Sequence, residues 1–213
     1  MESALILIFQ LIVLIFSVMV HEVSHGYVAE RLGDPTARLA GRLTLNPKKH
    51  LDPFGSFLLP LGLYILTKGS FVFGWAKPVP YNPLNLKNPR TGAATIAAAG
   101  PLSNLILAGV FGILLRILAP ADFAPSAIAL FFSLIIYLNI LLAVFNLVPI
   151  PPLDGSKVLF AFMGNGEGSH QFMSFLERYG FLFLLIFIFS NGFRLITPII
   201  NTIYFFLAGE PFG

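Results

Sequence analysis

The chain has 213 residues, 56% of them hydrophobic and 11% charged, with a mean hydropathy of +0.84 and a formal net charge of +3. That balance excludes an ordinary soluble globular domain. With no cysteine, disulfides, a thiolate nucleophile and thiolate-bound zinc are excluded, so any metal must rest on His, Asp or Glu.

A membrane-spanning helix needs about 20 apolar residues. The first candidate runs from Ala4 to Leu32 and stops at Gly33-Asp34-Pro35. It lacks the basic start and small-residue cleavage site of a signal peptide, so a retained span is expected. Residues 36–53 are polar and basic, which predicts a loop with short strands. Phe54 to Thr67 is apolar but short and carries Pro60 and Gly62, which suits a re-entrant segment better than a span. Lys68 to Arg90 is dense in Gly, Pro and Asn, and its repeated prolines favour extended chain.

Thr91 to Ala119 is a second span, opening with small residues that allow close helix approach. Pro120 to Pro125 is a tight connection. Ser126 to Val148 is a third span, leading into Pro149-Ile150-Pro151-Pro152-Leu153-Asp154-Gly155. Residues 155–169 read as a loop. Gln171 to Leu207 is apolar but interrupted at Asn191-Gly192, Arg194 and Pro198, compatible with two short helices or one broken one. No repeat is visible. The expectation is one membrane-embedded domain over residues 1–213. It is an all-α polytopic membrane protein, a bundle of about five to six transmembrane or re-entrant segments with short extended or β elements on the cytosolic side.

Loop charge predicts orientation. Arg38, Arg42, Lys48 and Lys49 crowd the loop after the first span, while residues 120–125 hold no Lys or Arg. The positive-inside rule puts the basic loop in the cytosol. The protein is then expected in the cell membrane as a multi-pass protein, with the end of the first span in the cytosolic half of the bilayer.

That end carries His21-Glu22-Val23-Ser24-His25. On a helix, His21 and His25 share one face and can both offer a ring nitrogen to one metal. Glu22 is placed to act as general base on a metal-held water. Ionisable groups at membrane depth are costly and point to function. A catalytic zinc wants three protein ligands, so one more is needed. Asp154 is the first candidate, the alternative being a turn aspartate before glycine at the membrane surface. His50 and Asp52 are rivals in a charged loop that reads as solvated, and His170 reads as an ordinary exposed histidine. Intramembrane His and Asp could also line the path of a metal transporter or channel, but such a path would place polar residues along several spans.

Two motifs together resemble a known family. His21-Glu22-Val23-Ser24-His25 and Asn146-Leu147-Val148-Pro149-Ile150-Pro151-Pro152-Leu153-Asp154-Gly155 resemble those of the site-2 protease family of zinc intramembrane metalloproteases. Gly100-Pro101-Leu102-Ser103-Asn104 is similar to the family's small-residue motif. Gly74-Trp75-Ala76-Lys77-Pro78-Val79-Pro80 is similar to its Lys-Pro-x-Pro segment. The resemblance implies one zinc ion held by His21, His25 and Asp154, with Glu22 as catalytic base. It implies transmembrane segments of other proteins as substrates, lipid as surroundings and no nucleic acid as partner. Lys77, Pro78, Val79 and Pro80 are then candidates for holding substrate by strand-like pairing, and Asn104 for binding substrate or the oxyanion. The chain resembles the family's minimal form, without a PDZ domain.

Overall fold

The structure, a computed structural model, describes residues 2–66, 76–118, 126–164 and 166–212. Gly74, Trp75 and the connection 120–125 lie outside the described residues. The order is α1 (Glu2–Arg31), α2 (Thr36–Leu39), α3 (Leu59–Leu66), α4 (Pro89–Leu118), α5 (Ser126–Asn146), α6 (Asp154–Phe162), α7 (Glu167–Phe189) and α8 (Phe193–Ala208). Four of these helices are long and apolar enough to cross a membrane: Leu5–Arg31, Pro89–Leu118, Ala127–Asn146 and Glu167–Phe189. With the shorter apolar helices α3 and α8, the chain is the expected all-α polytopic membrane protein.

Helix α4 is the hub and packs against α1, α5, α6 and α8. Its small residues explain this role. Ala97 and Ala108 are fully or almost fully buried, and short side chains let neighbouring backbones come close. A core of Leu115, Ile136, Ile140, Leu184, Ile200 and Tyr204 ties α4, α5, α7 and α8 together. The opposite face of α4 leaves Ile106, Ile113 and Ile117 exposed. These lie at i, i+7 and i+11, one stripe of a helix. An outward apolar stripe is what a hydrocarbon solvent favours.

The apolar stretch after Gln171 resolves into two helices. Asn191 adopts φ 60°, in the left-handed region that asparagine tolerates. The Gly192 N–H then returns to Phe187 O at 2.7 Å, which closes the end of α7.

Two loop expectations are corrected. Among the described residues there is no strand. Residues 36–53 form α2 and a 3-10 turn at Pro47–Lys49 instead, because Asn46 caps that turn by accepting the Lys48 N–H. The segment read as a loop from residue 155 begins with α6. Leu153 is extended at its N-cap, and Asp154 opens the helix, where an acid is favoured by the helix dipole. His170 lies in the first turns of α7, exposed as expected.

Candidate metal centre

The site is built where α1, α4 and α6 meet. His21 and His25 stand one turn apart on α1, their ring centroids 4.7 Å apart and nearly perpendicular. Asp154 reaches them from the start of α6. His21 Nε2 lies 3.0 Å and His25 Nε2 3.3 Å from Asp154 Oδ2, and all three side chains are buried. α6 comes this close because its second residue is glycine. A Cβ on Gly155 would sit 2.1 Å from Leu147 O, so any side chain there would push Asp154 away.

The remaining ring nitrogens fix the tautomers. His25 Nδ1–H donates to Ile96 O at 2.6 Å. His21 Nδ1–H donates to Asn104 Oδ1 at 2.6 Å. The amide of Asn104 cannot turn over, because its Nδ2 donates to Ser17 O at 3.2 Å and to Asn139 Oδ1 at 2.9 Å. Asn139 in turn donates to Ile135 O at 2.9 Å. This relay is anchored on backbone carbonyls, so the proton positions follow from the partners. Both Nε2 atoms are left as acceptors that aim at one point with a carboxylate oxygen.

Two lone pairs and a carboxylate converging on one point repel one another unless a cation sits among them. Nitrogen and oxygen ligands about 2.0–2.1 Å from a tetrahedral zinc lie roughly 3.3 Å apart. The separations of the two Nε2 atoms from Asp154 Oδ2, 3.0 and 3.3 Å, match this, and the three residues each offer one ligand atom within 4.8 Å of the others. Gly100 completes the cradle. A Cβ there would be 2.5 Å from His21 Nε2 and 2.6 Å from His25 Cε1. The residues present therefore fit a zinc ion.

Glu22 is half-buried beside the two histidines and accepts the Val79 N–H at Oε2, 2.8 Å away. A cleft of about 160 Å³ joins these groups; Pro78, Tyr81, Asn146 and Lys157 are among its walls. Asn146, Lys157 and Asn139 are not among the site candidates the sequence offers. Asn146 opens the Asn146–Gly155 motif. Asn139, an amide within the apolar run of α5, is the visible clue to the relay.

The structure brings His21, Glu22, His25, Asp154, Pro78 and Val79 to one cleft and keeps other candidates away. Asn104 is wholly buried behind His21, and both of its amide hydrogens are donated. It orients the His21 ring and offers no donor to the cleft. Lys77 and Pro80 are exposed. His50 is not solvated but 1% exposed, its Nε2 bonded to Thr44 O at 2.7 Å. Asp52 accepts the N–H groups of Phe54 and Gly55.

The segment from Lys77 to Pro80 lies outside any regular element and has no free backbone donor. Lys77 N–H goes to His50 O at 2.8 Å, Val79 N–H goes to Glu22, and the two prolines have none. Buried Arg42 fixes the segment further by donating to the carbonyls of Lys77 and Pro78. The next stretch is tied down by Asp34, which accepts from Asn82 N–H and Asn85 Nδ2, each at 2.6 Å. Burial alone would raise the Asp34 carboxyl. The Thr36 hydroxyl and these donors hold it below the usual carboxylate range.

Comparison with known proteins points to a zinc metalloprotease. The family model described as "Peptidase family M50" matches residues 9–120 and 115–187. The chain is 43% identical over 197 residues to "Putative zinc metalloprotease YwhC" of Bacillus subtilis, covering 89% of this chain and 84% of that one. It is 33% identical over 197 residues to "Putative zinc metalloprotease Rip2" of Mycolicibacterium smegmatis, covering 91% of this chain and 69% of the relative. No solved structure gives a significant match.

Proposed function

The chain belongs to peptidase family M50 and is a zinc metalloprotease; from that premise we propose that it cuts peptide bonds within or beside transmembrane segments of other membrane proteins. One observation carries this reading. The His21, His25 and Asp154 donors converge toward the end of a span-length helix, beside a cleft walled by residues of α4, α5 and α6 and by Pro78 and Val79.

His21, His25 and Asp154 would hold the zinc, and zinc held there supplies Lewis-acid chemistry to a peptide carbonyl and to water. Glu22 is the general base. Val79 holds its Oε2, and among the described residues Oε1 is left to take a proton from water and hand it to the leaving amine. Asn104 and Asn139 keep the ring of His21 turned to the metal. A helical substrate has closed backbone hydrogen bonds, so it must be held extended to be cut. Of the Lys77–Pro80 segment, whose own donors are spent and whose Lys77 and Pro78 carbonyls Arg42 already holds, the carbonyls of Val79 and Pro80 can do this by accepting N–H groups from the substrate.

The test is the cut position. Protein reconstituted in liposomes with a single-span substrate is expected to give fragments whose new ends, read by mass spectrometry, fall within the apolar stretch or its flank. Cleavage confined to soluble loops would overturn the reading.

The site is proposed to open to the cytosol from the cell membrane, on the side of Arg38, Arg42, Lys48 and Lys49. The chain has no native cysteine, which makes labelling clean. A cysteine at Lys48 should react with an impermeant thiol reagent only in inverted vesicles, and one at Asp122 in intact cells. The reverse pattern would invert the molecule.

A further inference from the structure

We propose that Lys157 is a specificity-determining cation of the cleft, selecting substrate segments flanked by a carboxylate side chain and turning away those flanked by Lys or Arg. The inference rests on the protease reading above. Lys157 follows Asp154 by three residues on α6, so the two share a helix face. Both line the cleft that holds His21, Glu22 and His25.

Among the described residues its ammonium has no carboxylate partner. Nζ stands 5.4 Å from the centroid of the Tyr81 ring on the facing wall, and among the described residues no acid lies within ion-pair distance. The two acids of the cleft are engaged elsewhere. Asp154 Oδ2 faces His21 and His25, and Glu22 Oε2 takes the Val79 N–H. A partly buried cation without a counterion is costly, and the ring contact offsets only part of that cost. A peptide crossing the cleft passes this charge.

The consequence is a filter. Cytosolic flanks of membrane spans are ordinarily rich in Lys and Arg. A cation in the cleft repels that common flank and rewards the rarer acidic one, which is specificity by exclusion as well as by attraction.

The test uses one reconstituted span offered with Glu, Gln or Lys at its cytosolic flank, and the ratio of kcat/KM values. The wild type is expected to favour Glu over Lys by about tenfold, Lys157→Arg to keep that order, and Lys157→Glu to reverse it. High salt should shrink the ratio. Substrate capture by the same variants in a Glu22→Gln background should follow the same order, which separates binding from chemistry. If the wild type cuts all three equally, or Lys157→Glu keeps the wild-type order, the inference falls while the protease reading stands. If the wild type cuts none of them, both fall. Should Lys157→Glu fail to fold, the wild-type and Lys157→Arg ratios decide alone.

Discussion

Glu22→Gln is expected to lower peptide hydrolysis by about 10²- to 10⁴-fold, the usual worth of a positioned general base, while zinc content stays at the wild-type level. The separation follows from geometry. Glu22 is not among the three converging donors; its carboxylate is held by Val79 N–H at the side of the cleft. Glutamine keeps an acceptor for Val79 and nearly the same volume, so the local fold should survive. What it cannot do is take a proton from water. Steady-state cleavage of a single-span substrate, with metal analysis of the same preparation, checks both halves. Turnover close to wild type would remove Glu22 from the mechanism, and loss of zinc would make it a ligand.

The second large effect concerns the ligands. Asp154→Ala, His21→Ala and His25→Ala should each weaken zinc binding by more than about 100-fold. Asn104→Ala and Asn139→Leu should fall in the range of roughly 10- to 100-fold found when a ligand loses its outer hydrogen-bond partner. The order reflects what each change removes. A ligand variant deletes one of the three donors within 4.8 Å. The asparagine variants leave the donors but free the ring of His21, which the Asn104–Asn139 relay now orients. His50→Ala and His170→Ala should keep their metal, because neither belongs to the cluster. Competition with a chelator of known affinity measures the series. Zinc retained by Asp154→Ala and lost by His50→Ala would make His50, and not Asp154, the third ligand.

Much of this was legible in the chain. The spans announced themselves by length and apolarity, and the pair His21 and His25 by helical spacing within one of them. The close of α7 at Asn191-Gly192 was marked by residues suited to left-handed backbone. Other features depend on contacts distant in sequence. His50 sits among lysines and reads as solvated, yet it is buried because Thr44 and Lys77 close over it. Asp154-Gly155 reads as a turn. It opens a helix because the glycine lets α6 press against the carbonyl of Leu147. Asn104 reads as an amide for the cleft, and only the fold reveals Asn139 and Ser17 taking its hydrogens. The N–H groups of Lys77–Pro80 read as free for the same reason: His50 and Glu22 claim them from 27 and 57 residues away in sequence.

The central claim is that two α1 histidines and one α6 aspartate hold the zinc that drives hydrolysis. X-ray absorption at the zinc edge, on purified wild-type protein of measured metal content, tests it most directly. The account predicts one zinc per chain, bound by two imidazole nitrogens with the remaining protein ligand an oxygen, and loss of that oxygen ligand or of the metal in Asp154→Ala. A shell with one imidazole or none, or an unchanged shell in Asp154→Ala, would contradict it.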